Sequence, residues 1–504
     1  MSNNITKKYI LGVDQGTTGT TTLVMDENWD IVSRGYIEHE QIYPKPGWVE
    51  HDPMEIWDKT KESIRLALEA GKIDIEEIKA LGLDNQGETV MLWNKVTGLP
   101  VYNALVWQDK RTAEEADQLK EEWDEKIRNK TGLIPDAYFS ALKIKWVLDN
   151  VEGVREGVAK GEILAGTLDT WLIWKLTGGK VYITDGSTAA RTMLLNICQG
   201  DWDEEILEKL DIPRSILPDI HPSSKIFGYT DPAVFFNCKL PISASIVDQP
   251  AALFGQACFE PGMVKTTYGT GCFMEMNTGD EVVSSKNDLL SIIAWRLGDK
   301  NTYALEGGVY ITGAAVQWLR DGLQIIDNVA ETEQMALSVP DNGGVYFVPA
   351  FAGLAAPYWD QYARGMMIGI TGGTTRAHIV RATLEGIAFQ VKEILDAMRK
   401  DSGIAIDVMR VDGGAVANKF LMQFQADILG IPVDVPEITE TTALGAAYLA
   451  ALGIGVFDSL DDIKDNWKLG KRFVPQMGTE ERGKLCSNWS KAVERSRNWE
   501  KEIA

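Results

Sequence analysis

The sequence predicts an α/β protein of two domains with a cleft between them. Runs of β-type residues alternate with helical runs along the chain. The alternation restarts near Gly255 with a second strand–turn–strand unit, and 504 residues are too many for one core. The boundary is expected near residues 249–256, giving domains 1–253 and 254–504.

The first unit, Ile10 to Met25, reads ILGVDQGTTGTTTLVM: an apolar strand, a Gly/Thr turn and a second strand. This is a hairpin, and its turn can aim backbone N–H groups and short hydroxyls at a phosphate. Asp14, closing the first strand, suits a hydrated Mg²⁺. Asp52 and Pro53 open a helix carrying Met54, Trp57, Ile64 and Leu68 at helical spacing. Ile78–Asp84 is a strand running into Asn85–Thr89, and Val90–Asn94 and Asn103–Gln108 are further strands. The charged run Ala113–Asn129 is a solvated helix. Asp136–Ser140 is a loop, and Leu142–Asn150 and Leu168–Leu176 are helices. Leu240–Asp248 is a strand with Asp248 at its tip.

In the second half Met263–Tyr268 and Cys272–Asn277 flank the turn Gly269–Gly271. Gly308–Asp321, Ala377–Arg399 and Lys419–Leu429 read as helices, Gly344–Pro349 and Val408–Asp412 as strands. TALGAAYLAAL, Thr442–Leu452, is dense in Ala and Gly, as a helix packed against another backbone would be. The tail from Thr479 reads as a charged, peripheral helix.

Composition narrows the function. A net charge of −23 argues against a nucleic-acid partner. Five scattered cysteines without a Cys-x-x-Cys pair form neither a disulfide framework nor a zinc site. No apolar run is long enough for a membrane span, so the expected location is the cytoplasm. With four histidines in the chain, a general base is expected to be a carboxylate.

Three turns, each after a strand, are candidates to converge on a nucleotide: Gly16–Thr20, Gly269–Gly271 and Gly413–Asn418. Asp248 is the candidate base, since phosphoryl transfer needs a positioned hydroxyl, an acceptor for its proton and donors for the phosphate oxygens. Glu88 and Tyr138 could bond polyol hydroxyls while Trp107 and Phe273 cover the C–H faces.

The segments DQGTTGT, YNALVWQDKRT, TLDTWLIWKLTG, VDQPAALFG, TYGTGCF, ALEGGVYITGAAVQWLRD, VPAFAGLAAPYWD, RVDGGAVANKFLMQFQADIL and TALGAAYLAALG resemble the FGGY carbohydrate kinases, most closely their glycerol kinase branch. The resemblance runs through nearly the whole chain. It implies two ribonuclease-H-like domains of the actin and hexokinase type, closing on ATP, Mg²⁺ and a small polyol. It places Thr17, Thr18 and Gly19 at the ATP phosphates and Asp14 at Mg²⁺. Thr270 and Gly313 would line the phosphate path, with Gln317, Gly414 and Asn418 around the nucleotide. Asp248 would be the base with Gln249 beside it, Glu88 and Tyr138 the polyol ligands, and Trp107 and Phe273 the apolar wall. A homo-oligomer, dimer or tetramer, is also implied.

Two departures stand out. The family's Asn-Gln-Arg-Glu-Thr is here Asn85-Gln86-Gly87-Glu88-Thr89, so the arginine that donates to the polyol is missing and a void is expected. Thr21 stands where relatives carry a basic residue. FFNCKLP, before the Asp248 strand, lacks the element tied to fructose-bisphosphate inhibition in relatives, so that control is not expected. The expected activity is ATP-dependent phosphorylation of a primary hydroxyl, with glycerol as acceptor. The alternatives are a larger polyol or ketose (erythritol, threitol, xylulose, ribulose) or an actin-like ATP-binding protein without turnover.

Overall fold

The computed structural model describes residues 7–502. Its first sheet is built from β1 (Tyr9–Gln15), β2 (Gly19–Met25), β3 (Ile31–Glu38), β4 (Ile78–Asn85), β5 (Ser224–Tyr229) and β6 (Pro241–Val247), in the order β5-β6-β4-β1-β2-β3. β1, β2 and β3 form an antiparallel meander, while β1, β4 and β6 are parallel neighbours. The central strands are buried on both faces, which is why Ile10, Leu11 and Val13 read as a near-continuous apolar run.

The second sheet contains β7 (Val264–Tyr268), β8 (Cys272–Gly279), β9 (Leu290–Leu297), β10 (Lys300–Val309), β11 (Met409–Asp412), β12 (Val433–Pro436) and β13 (Leu469–Phe473). Its order is β9-β10-β8-β7-β11-β12-β13. Again a meander (β7, β8, β10) leads into parallel strands (β7, β11, β12). The echo of the two Gly/Thr hairpins in the sequence is therefore an echo of strand order. A smaller sheet in the first half, centred on Val90–Asn94, presents the loop that carries Trp107.

Six helices matter for the site: α1 (Pro53–Gly71), α2 (Asp248–Gly255), α3 (Gly313–Asp321), α4 (Arg376–Ser402), α5 (Lys419–Leu429) and α6 (Thr441–Gly453). α1 starts where the sequence places it, with the Asp52 carboxylate accepting from Met54 N–H at 2.8 Å and Pro53 at the first position. Its face of Ile56, Trp57, Ile64 and Leu68 is buried.

α6 belongs to the second half of the sequence but packs on the first sheet and on α2. Gly12 and Gly82 are register partners on β1 and β4. A Cβ on either would lie 2.1 Å from a carbonyl oxygen of α6, that of Ala443 or Ala446. Where α2 meets α6, a Cβ on Gly445 would lie 1.9 Å from the Ala251 carbonyl oxygen. The small residues of TALGAAYLAAL are thus explained by backbone contact, and one hydrophobic cluster draws on both halves of the chain.

Three sequence expectations need correction. Residues 308–312 are not helix: β10 runs to Val309 and α3 begins at Gly313, because the segment completes the meander beside β8. Asp248 is not the strand's last residue but the first of α2. The C-terminal helix Thr479–Ser496 is not peripheral, since Trp489 is buried and stacks on Phe389 of α4 at 5.0 Å. Among the described residues no helix is long and apolar enough to cross a membrane, and all five cysteines are free.

Candidate active site

The first turn, Gly16–Thr18, is held by its carbonyls. Gln15 Nε2 donates to Gly16 O at 2.8 Å, Gln41 Nε2 to Thr17 O at 2.9 Å and His39 N–H to Thr18 O at 3.2 Å. Gln41 is itself paired through Oε1 with His51 Nε2 at 2.9 Å. Among the described residues nothing accepts from the Thr17 or Thr18 N–H, so the turn offers free donors as an anion-binding turn must. Gly19 begins β2 and is buried.

Three carboxylates gather where β1, β4 and β6 end. Asp14 and Asp84 are register partners on adjacent strands, and Asp248 follows β6 directly. Burial, with the Asp248 charge nearby, pushes Asp14 up to about 7. Burial also raises Asp84 well above the carboxylate range, and neither of its oxygens has a hydrogen-bond donor. Asp248 is raised by burial, against the pull of the Gln249 N–H at 2.7 Å and the charges of Lys265 and Arg191. These hard oxygens suit a divalent cation. No cluster of three or more His, Cys, Asp or Glu among the described residues is arranged to hold a metal ion. Asp84 escaped sequence reasoning because it reads as the end of a strand; its register with Asp14 reveals it.

The predicted polyol pocket comes together in part. Glu88 sits in the loop after β4 with a left-handed backbone, φ 58°, and its carbonyl accepts from Ser140 Oγ at 2.9 Å. Burial pushes its carboxyl up to about 7, while the Arg191 charge pulls it down. Tyr138 lies edge-on to Trp107, ring centroids 5.7 Å apart, and its carbonyl is held by the buried Lys143 ammonium at 2.6 Å. Trp107 Nε1 donates to Thr17 Oγ1 at 2.9 Å, so the pocket wall and the first phosphate turn share a hydrogen bond. Phe273 stands on β8 opposite Gly308 and makes no ring contact with this pair. Gln249 accepts from Lys265 Nζ at 2.5 Å and turns its amide toward Asp248.

Arg191 was missed entirely. It lies between short elements, without a motif of its own, yet its guanidinium joins Glu88 at 2.5 Å to Glu306 at 2.7 and 2.9 Å. Glu306 belongs to β10, so this ion pair ties the two halves together.

Thr270 and Gly313, both expected along the phosphate path, are neighbours. The N–H groups of Gly313 and Ala314 donate to the carbonyls of Gly269 and Thr270 at 3.1 Å each, so the start of α3 clamps the turn. A Cβ on Gly313 would lie 2.5 Å from Gly269 O. Gln317 is exposed one turn further along α3. Gly413 takes φ 89° against the backbone of Tyr268, which brings the third turn beside the second. Gly414 is open to solvent, and Asn418 caps α5 at Leu421 N–H, 3.0 Å, while donating to Thr332 Oγ1. Thr21 lies in β2, paired with Asp14 across the hairpin.

Comparison with known proteins places the chain in a family. Residues 9–255 match the N-terminal domain of the FGGY family of carbohydrate kinases and residues 264–454 its C-terminal domain. Glycerol kinase 2 of Thermotoga maritima is 59% identical over 98% of this chain and 100% of its own length. Glycerol kinase of Caldanaerobacter subterraneus subsp. tengcongensis is 56% identical over 98% of the chain and 100% of its own length. Among solved structures, Plasmodium falciparum glycerol kinase with ADP superposes with a TM-score of 0.91 at 39% identity, covering 98% of this chain and 99% of that one.

Proposed function

The chain belongs to the FGGY family of carbohydrate kinases, and we propose that within it this protein transfers the γ-phosphate of ATP to a primary hydroxyl of glycerol, giving glycerol 3-phosphate. The observation that carries the reading is the hydrogen bond from Trp107 to Thr17, which sets the Trp107 ring, edge-on to Tyr138, directly against a turn with free N–H donors. The names of the relatives support the acceptor and the nucleotide.

In this account residues 1–253 hold the polyol and residues 254–504 the nucleotide. Glu88 and Tyr138 orient the acceptor, and Trp107 covers its carbon chain from one side. Phe273 does so from the other once the halves close. Asp248 takes the proton of the attacking hydroxyl; its raised affinity for protons suits a base. The hydroxyl oxygen bonds to the γ-phosphorus as the β–γ bridging bond breaks, and ADP leaves. Thr17, Thr18, Gly19 and Thr270 surround the phosphates, with Gly313, Gln317, Gly414 and Asn418 along the rest of the nucleotide. Asp14, with Asp84 and Asp248 beside it, would hold Mg²⁺, which neutralises phosphate charge when bound. The protein acts in the cytoplasm as a homo-oligomer.

At Gly87, where the pocket arginine is missing, part of the space next to the backbone is already taken. A Cβ on Gly87 would lie 3.1 Å from Val247 Cγ2 and 3.6 Å from Arg191 Cγ, so neighbours already crowd that side. This favours a three-carbon acceptor over larger polyols. The test is ADP release with ATP and Mg²⁺ across C3 to C6 polyols and ketoses. Glycerol should give the highest kcat/KM; a higher value for a four- or five-carbon compound would replace it as substrate.

A further inference from the structure

We infer that Arg191 is a specificity-determining residue of the polyol pocket, supplying the guanidinium that position 87 lacks. The inference rests on the polyol-kinase reading above and names how that site is completed. Its basis is position. The arm of Arg191 lies over Gly87, with Cγ and Nε 3.6 and 3.7 Å from where a Cβ would be. Its Nε donates to Glu88 and one Nη approaches Tyr138 Oη at 3.5 Å, so the cation meets both polyol-binding side chains. Its Cζ lies over the Tyr138 ring, 5.8 Å from the centroid.

The side chain is built to stay there. Glu306 takes both Nη groups in a bidentate pair, which fixes the fork and leaves further N–H directions for a ligand. Arg191 follows a short helix, Gly186–Ala189, capped by the Asp185 carboxylate on the N–H groups of Ser187 and Thr188. Arg191 N–H returns to Thr188 O at 3.0 Å. A guanidinium so anchored can donate to adjacent hydroxyls of a small polyol, while its bulk over Gly87 limits the length of the carbon chain.

The two positions should then show sign epistasis. Gly87→Arg alone puts a second cation and a crowded Cβ against Arg191 and Val247, and should weaken glycerol binding. Arg191→Ala should weaken it roughly ten- to a hundredfold, as loss of a charged hydrogen bond does, and lessen discrimination against four-carbon polyols. In the Arg191→Ala background, Gly87→Arg should instead strengthen binding about tenfold. The readouts are glycerol Kd by quenching of tryptophan fluorescence, with KM for ATP measured alongside and expected within about twofold of wild type.

Arg191→Lys keeps the charge between Glu88 and Glu306 and serves where the alanine variant does not fold; it should raise glycerol Kd about fivefold with ATP unchanged. The inference is overturned if folded Arg191→Ala or Arg191→Lys binds glycerol within twofold of wild type. It is equally overturned if Gly87→Arg has the same sign in both backgrounds. Failure of the polyol-kinase reading is distinct: wild type itself would then turn over no polyol.

Discussion

The two halves share a strand order but finish equivalent strands differently. Asp84, next to last in β4, has oxygens without a donor, and β11, its counterpart, ends in Asp412, whose Oδ2 accepts from Gln256 at 2.9 Å and Thr441 at 2.7 Å. β1 leads to a turn whose carbonyls are tied back, while β7 leads to a turn clamped by the N–H groups of α3. The same position on the shared scaffold is thus left without a donor in the first half and satisfied in the second. Unsatisfied buried charge is costly and persists where a reaction uses it. On the proposed reading this difference assigns the chemistry to the first half and nucleotide positioning to the second.

A large effect that could break this division is expected in the pocket. Glu88→Ala removes a polyol ligand and leaves Arg191 Nε unpaired, and should lower kcat/KM for glycerol by about two to three decades with nucleotide affinity little changed. A comparable loss of nucleotide binding would mean that the halves do not divide the work. The joint between them comes next. Gly12→Ala forces a Cβ into the carbonyl of Ala443 and should destabilise the fold by about 1–3 kcal/mol in chemical denaturation. An unchanged midpoint would show that α6 can withdraw from β1.

The two phosphate turns should respond unequally. Thr17→Val strips the acceptor from the Trp107 indole N–H, so both glycerol and ATP constants should rise, each about tenfold. Thr270→Val should raise the ATP constant alone. Equal effects on glycerol would contradict the link seen at Thr17.

The smallest effect concerns Asp84. Burial raises its carboxyl in the folded state, so its contribution to stability is full below the unfolded value, near about pH 4, and is lost as pH rises through the folded one. In EDTA, Asp84→Asn should therefore raise the melting temperature more at about pH 8 than at about pH 5. A larger gain on the acid side would reverse the sign.

What the sequence disclosed follows from locality. The hairpins are legible because strand, Gly/Thr turn and strand adjoin, and α6 because only small residues permit such contact. In the sequence β10 merges with the following helix because its Gly-rich end and the start of α3 form one apolar stretch. Trp489 looked peripheral amid charged neighbours, yet one stripe of its helix reaches the core. Arg191 was illegible for another reason: its partners lie 103 and 115 residues away, and nothing local distinguishes it from a surface arginine. Gly87 gave the hint, but only the fold shows what stands over it.

The most direct measurement on the central claim is Asp248→Asn, followed by glycerol-dependent ADP release and by nucleotide binding on the same sample. The carboxylate is lost while its volume and an acceptor for the Gln249 N–H are kept. Turnover should fall by at least about a thousandfold with ATP affinity within about twofold of wild type. Near wild-type turnover would contradict a base at Asp248 and, with it, the placement of the chemistry in the first half.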